Sequence, residues 1–430
     1  MSPPPIPEVL VLCGHGNYGP DADDHVRRVA AAAREAGQYP EYLIYGNDTN
    51  ARGRRKHNFL IGRAPAVAYT FVNLLYSDAE RACFVGNQDT RQIFEACMQY
   101  FQPTNDFFFI EEGRSGLAEN VMAGRRALYG DRETDRHTLL LNGDLPLLFH
   151  LNAPLKDPDM QSYDMIFDAN SRELQGGLLP REYHLRLEAP DPTTGASRMF
   201  WVKESNYFLL KLKFLTAEMM DSVYRSRRIH DAESGSWRDI FSQIYFRGLR
   251  IFRTLAILLR RHAWHNILSR LSHARDNWIF DCRQAEQLIE YGLRVLGYQA
   301  RCRVKVTNRD PGAKKDLDSF GDWSYLNAMY ALSGRDFHLV YPHAEAIHGF
   351  ARDMMPRLKR RVEIFRNYPA YMNREFRNFG LLEPYDRRGN FQPRLVAEQT
   401  VFEDILFHRE FVQSLKLPGK RAGGPRRPRA

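Results

Sequence analysis

The pentapeptide Asn142-Gly143-Asp144-Leu145-Pro146 is the stretch of this chain best suited to chemistry. It follows Leu139-Leu140-Leu141, an apolar run that predicts a buried strand. Proline then stops regular continuation of that strand. Ligands of open α/β sheets bind beyond the carboxyl ends of strands. A lone carboxylate there suits Mg2+, which takes one or two protein carboxylates and leaves its other positions to phosphates and water. An aspartate that merely caps a turn is the alternative. A second acidic stretch reads Lys314-Lys315-Asp316-Leu317-Asp318-Ser319-Phe320-Gly321-Asp322-Trp323. Its paired carboxylates can complete a metal site. Asp318 or Ser319 can equally cap the helix that follows.

Two further stretches suit phosphate. Gly14-His15-Gly16-Asn17-Tyr18-Gly19 leaves a predicted strand and precedes a helix, a place that presents backbone N–H groups to anions. It is not a Walker A loop, because no Gly-Lys-Ser/Thr follows. Its glycines have G-x-G-x-x-G spacing but lack the acidic partner of a dinucleotide site. Arg52, Arg54, Arg55 and Lys56 then form a basic cluster. They can neutralise a triphosphate, or simply be a solvated charge run.

The elements that must carry these residues alternate. Strands are predicted at 8–13, 40–45, 82–86, 106–110 and 137–141, with helices at 21–36, 64–76, 89–101 and 116–129. Alternation of this kind predicts a doubly wound, mostly parallel α/β sheet. After residue 150 the pattern loosens. Strands are expected at 163–168, 183–188 and 199–202, helices over most of 215–295, one more strand at 299–306 and helices again over 322–372.

The 430 residues are 43% hydrophobic and 26% charged, which excludes wholesale disorder, collagen and coiled coil. A net charge of +9 favours anionic partners. The cysteines are Cys13, Cys83, Cys97, Cys282 and Cys302, with no CxxC pair. That spacing argues against a disulfide scaffold or structural zinc and suits a reducing cytoplasm. No apolar run approaches the ~20 residues of a membrane span.

Taken in order, these pieces resemble the MobA-like NTP transferases, the nucleotidyltransferases of the molybdenum-cofactor guanylyltransferase type. The resemblance covers roughly residues 8–330. A first strand ends in Leu12-Cys13-Gly14-His15-Gly16. Lys56 and Leu60-Ile61-Gly62-Arg63-Ala64-Pro65 are similar to the family's K-x-L-x-x-x-G-x-P passage. Gly113-Arg114-Ser115-Gly116-Leu117-Ala118-Glu119-Asn120 leads into a helix. Asn142-Gly143-Asp144-Leu145-Pro146 is close to its GDxP, and Asp316–Trp323 to its final acidic motif. The chain departs from the family in its first loop, which lacks adjacent glycines and places some 35 residues before the lysine.

The resemblance implies a nucleotide-diphospho-sugar transferase-like fold of the glycosyltransferase-A (GT-A) type. It implies Mg2+ held by Asp144 and Asp318, with Asp316 as the other candidate ligand. Leu12, Cys13, Gly14, His15, Gly16 and Gly143 would receive the nucleotide, Lys56 would face the triphosphate, and Ser115 and Asn120 would lie near base or ribose. Lys203 would meet the acceptor, or else is a surface lysine. The implied reaction moves a nucleotidyl group from an NTP to a phosphorylated sugar, polyol or similar acceptor and releases pyrophosphate. Two other readings stay open: a glycosyltransferase that uses Asp316-Leu317-Asp318 as its D-x-D, and a non-catalytic binding protein of the same fold.

The expected organisation is a leader at 1–7, a nucleotidyltransferase-like domain at 8–330 with a helical insertion near 215–295, a helical extension at 331–412 and a basic tail at 413–430. Residues 246–261 alternate arginines with Phe, Leu and Ile. Such a helix either lies on the anionic inner face of a membrane or packs its apolar side on the protein. No nucleic-acid motif accompanies the arginines. His262, His265 and His273 lack the spacing of a zinc helix.

Overall fold

The computed structural model describes residues 5–13, 56–113, 117–130, 135–171, 185–191, 194–214, 250–258, 262, 264–265, 279–307, 310–317, 320–378, 380–393 and 398–415. The glycine loop at 14–19, the arginines at 52–55, Ser115, Asp318 and most of 215–278 therefore lie outside the described residues. So does the basic tail from 416 onward.

Along the chain come β1 (Glu8–Cys13), β2 (Leu60–Ile61), β3 (Ala64–Pro65), helix α1 (Ala66–Leu75), β4 (Arg81–Gly86), α2 (Gln88–Phe101), β5 (Asp106–Glu111), α3 (Leu117–Tyr129) and β6 (His137–Asn142). Next are β7 (Met165–Ser171), β8 (Leu185–Pro190), β9 (Ser197–Glu204), β10 (Tyr207–Lys211), α4 (Arg250–Leu258), β11 (Ile279–Asp281), α5 (Cys282–Val295) and β12 (Cys302–Thr307). The remainder is helical, with α6 (Phe320–Ser333), α7 (Ala344–Arg361), α8 (Tyr368–Asn378) and α9 (Glu398–Ser414). Strands alternate with helices through β6, and the molecule is a mixed α/β protein. None of the described helices is long and apolar enough to cross a membrane.

The chain forms two compact units. One holds Met1–Leu10, Leu117–Leu141 and Asn152–Lys314; the other holds Val11–Gly116, Asn142–Leu151 and Lys315–Ala430. The C-terminal helices belong with the chain's early segments, because they share one aromatic core with them.

In the first unit the strands run β11-β8-β9-β7-β10-β6, and β12 pairs with β7. β7 and β12 are parallel, while β10 is antiparallel to both β6 and β7. Leu187, Phe200, Val202 and Val304 form a buried cluster against Ile289 of α5. Helix α5 starts where the Asp281 side chain accepts the Gln284 N–H at 2.7 Å. Within the stretch 215–295, expected to be mostly helical, β11 is a short strand: Ile279–Asp281 pairs in parallel with β8. Helix α4 spends one face on α5. Thr254 and Ile257 are buried, the Gln284 amide donates to the Ile257 carbonyl at 2.7 Å, and Phe252 stays 69% exposed. In residues 250–258, then, packing on α5 covers Thr254 and Ile257 and leaves Phe252 outside. His262 Nε2 lies 2.8 Å from the Glu188 carboxylate.

In the second unit β4 and β5 pair in parallel from Arg81↔Asp106 to Gly86↔Glu111. Phe71 of α1 sits among the rings of Phe84, Phe94, Phe101 and Phe107, and Phe101 stacks on Phe350 of α7 at 5.8 Å. Helix α2 is capped by Asn87, whose side chain accepts the Thr90 N–H at 3.0 Å. The helix expected from residue 64 begins instead at Ala66, because Ala64 and Pro65 pair with Ile61 and Leu60. Gly62 makes that turn with φ of +62°, and a Cβ there would meet the Tyr330 ring at 2.5 Å.

His343 stacks on Tyr76 at 4.3 Å, and burial pushes its pKa down to about 4. The unfolded chain would titrate this group near 6.5, so it binds a proton before the folded chain does. The stability it contributes is present above about pH 6.5 and is lost as the pH falls toward 4, by about 3 kcal/mol in all. The expected result is a melting temperature that falls from pH 7 to pH 4.5 more steeply in the parent than in His343→Phe. Equal slopes would refute it.

Candidate active site

β6 delivers the Asn142–Asp144 turn, and three hydrogen bonds inside the second unit hold that turn in place. The Gly143 N–H donates to the Leu12 carbonyl at 2.9 Å. The Thr70 hydroxyl donates to the Gly143 carbonyl at 3.0 Å, and the Asn73 amide to the Pro146 carbonyl at 3.3 Å. Gly143 also permits a close approach. A Cβ there would lie 2.2 Å from Cys13 Sγ and 3.4 Å from the His57 ring. Any larger residue would push the turn off the end of β1.

Asp144 is fully buried, and Lys56 Nζ lies 2.5 Å from its Oδ2. The lysine side chain is 12% exposed. Lys56–Asn58 is a single tight turn, closed by the Phe59 N–H on the Lys56 carbonyl at 3.0 Å. Its far end is tied down by Asn58, fully buried, whose side-chain oxygen accepts from the Thr90 hydroxyl at 3.0 Å. Thr90 in turn belongs to the Asn87 cap at the end of β4. The turn thus bridges the carboxyl ends of β4 and β6.

Charge at this place is strongly felt. Cys13 is buried beside it, and desolvation first, then the charges of Asp144 and Glu112, push its thiol well up. Cys83 on β4 is pushed up to about 12 by burial. Both thiols stay neutral fillers, so nucleophilic thiolate chemistry does not fit here. A buried carboxylate with an ammonium partner fits the handling of an anionic, phosphate-bearing ligand.

The structure brings together Lys56, Asp144 and Gly143 with Leu12 and Cys13. Asp316 is buried in the same unit, next to Lys315, whose ammonium lies 4.5 Å over the Tyr325 ring. Asn120 is buried in α3 and Lys203 lies opposite Asn170 on β9, both in the first unit. Gly14, His15, Gly16, Ser115 and Asp318 lie outside the described residues. Among the described residues no group of three or more His, Cys, Asp and Glu gathers as a metal cage. Asp144 and Asp316 are the described carboxylates among the expected metal ligands, and both are buried. Sequence reasoning missed Thr70, Asn73, Asn58 and Thr90. Each is an ordinary polar residue on a helix or turn, and only its distant partner reveals its role.

No protein-family model matches the chain, and no curated protein matches it. Among solved structures it is similar to a hypothetical transferase from Thermus thermophilus, with 17% identity over 74% of this chain and 99% of that one and a TM-score of 0.37. It is similar to the inositol-1-phosphate CTP transferase from T. maritima, with 13% identity over 55% and 77% and a TM-score of 0.29. It is also similar to 4-diphosphocytidyl-2C-methyl-D-erythritol synthase from Anaerococcus prevotii, with 7% identity over 76% and 99% and a TM-score of 0.34.

Proposed function

We propose that the chain is a Mg2+-dependent nucleotidyltransferase of the MobA-like, GT-A type. It would move a nucleotidyl group from an NTP to a phosphorylated small acceptor. The observation that carries this reading is the buried Lys56–Asp144 pair at the end of β6, against the end of β1. An acceptor phosphate oxygen attacks the α-phosphorus, the bond to the β-phosphate breaks, and pyrophosphate leaves with its electron pair. Such a transfer needs positioning and charge stabilisation more than covalent help from the protein. Lys56 supplies a point charge to the triphosphate. Asp144, with Asp316, would hold Mg2+, which supplies charge neutralisation when bound. Leu12, Cys13 and Gly143 are the described residues proposed to lie along the nucleotide.

The test is thermal stabilisation of the purified chain by each of the four NTPs, with and without Mg2+. A ligand that binds only the folded state at 100 times its Kd adds about 2.7 kcal/mol. The expected result is a shift with one nucleotide that needs Mg2+ and vanishes in Asp144→Ala. No shift with any NTP overturns the reading. A shift with a nucleotide-diphosphate sugar alone would replace it with glycosyl transfer.

A further inference from the structure

The lysine turn runs straight into β2, a strand of two residues, Leu60–Ile61, whose sheet partner is the equally short β3. A hairpin this small leaves backbone groups on its outer edge with no neighbouring strand. Buried N–H and C=O groups must nevertheless find partners. Here the partners are side chains of the C-terminal helices. The Leu60 N–H donates to the Tyr368 hydroxyl at 2.9 Å. The Leu60 carbonyl accepts from Trp323 Nε1 at 3.0 Å and from the Asn327 amide at 3.1 Å. Asn327 Oδ1 also accepts the Gly62 N–H at 2.9 Å. Trp323, Asn327 and Tyr368 are all buried.

A second chain of bonds reaches the other arm of the site. The buried Tyr341 hydroxyl donates to Asn73 Oδ1 at 2.6 Å, and the Asn73 amide holds the Pro146 carbonyl, two residues beyond Asp144. Both arms of the ion pair are therefore anchored by the same C-terminal region, one through Leu60 and one through Pro146. Aromatic packing makes that region stiff: Trp323 meets Phe376, Tyr385 and Phe391 at 5.5 to 5.9 Å between ring centroids.

We propose that the C-terminal helices are a jig for the active site, in which Trp323, Asn327, Tyr368 and Tyr341 are positioning residues that hold Lys56 and Asp144 in register. The catalytic part of this proposal rests on the nucleotidyltransferase reading; the mechanical part does not. A lysine displaced by about 1 Å loses on the order of 10²-fold in rate. Loss of one anchor among several gives less, so Tyr368→Phe lowers kcat about tenfold. KM for the NTP changes little, because the substrate still meets the same groups.

The experiment combines turnover with trace acetylation of lysines read by mass spectrometry, on the full chain, well below each variant's melting temperature. Tyr368→Phe and Tyr341→Phe are the test variants. Trp323→Phe removes one of the two donors to Leu60 and serves where a tyrosine variant does not fold. Tyr385→Phe is the control: its ring packs on the same Trp323, and its hydroxyl has no bond to the Leu60 peptide. The expected result is a Lys56 that acetylates faster, relative to the other lysines, in the test variants and not in the control, with kcat reduced. A rate unchanged at Lys56 overturns the proposal, whatever happens to turnover or melting temperature. If Lys56 responds as expected but even the parent chain turns over no NTP, the jig stands and the nucleotidyltransferase reading falls.

Discussion

Replacing Asp144 by asparagine lowers turnover about 10³-fold. The substitution keeps volume, removes the charge and exchanges one acceptor oxygen for an amide NH2. A transfer at phosphorus depends on groups that hold and neutralise the triphosphate in place, and losing one such electrostatic element typically costs several kcal/mol at the transition state. Stability falls as well, for a separate reason. Lys56 is mostly buried with its ammonium 2.5 Å from Asp144, and asparagine leaves that charge uncompensated. Removing one partner of a buried pair costs about 3 kcal/mol or more. The measurement is steady-state turnover with the nucleotide identified by thermal shift, alongside chemical denaturation. Turnover within tenfold of the parent would remove Asp144 from the chemistry and leave it a turn-holding residue.

Lys56→Met gives the second large effect, and a double variant gives it meaning. Alone, Lys56→Met lowers turnover about 10²-fold and leaves the Asp144 carboxylate buried without its ammonium. Combined with Asp144→Asn, it removes both charges. The double variant is then more stable than either single one, because no lone charge remains inside. Its turnover, however, stays at or below that of the worse single variant. Stability and activity therefore part company. A purely structural ion pair would instead show activity recovering together with stability in the double variant. Denaturation midpoints and kcat/KM for the four chains read out both quantities on the same preparations.

The α/β class was legible because it is written in local signals. Val9–Leu12 and Leu139–Leu141 are short apolar runs, each followed within two residues by a glycine in the sequence, and each forms a strand. The same locality exposed Asp144, since the run that makes β6 and the residue that ends it are adjacent. Local reading failed where pairing outvoted propensity. Ala64 and Pro65 sit in a sequence fit for helix, yet they pair with Ile61 and Leu60 before the helix starts. Ile279–Asp281 lies in a stretch of helical pattern, yet it pairs with β8.

The sequence also separated Lys56 from every other basic residue only through its resemblance to a family. Nothing in the run Arg54-Arg55-Lys56-His57 says which cation turns inward. The fold decided that, by closing the tight turn at Lys56–Asn58 onto Thr90 and so aiming one ammonium at Asp144. The role of the C-terminal helices was likewise invisible from the chain alone. Tyr368 and Phe376 are buried in the core of those helices. That a tryptophan indole would satisfy a carbonyl 263 residues away has no local signature. Periodicity and turn chemistry act over a few residues, so they report which elements form. Which side chain completes which distant backbone group depends on how the elements close on one another, and that is settled only when the whole core packs.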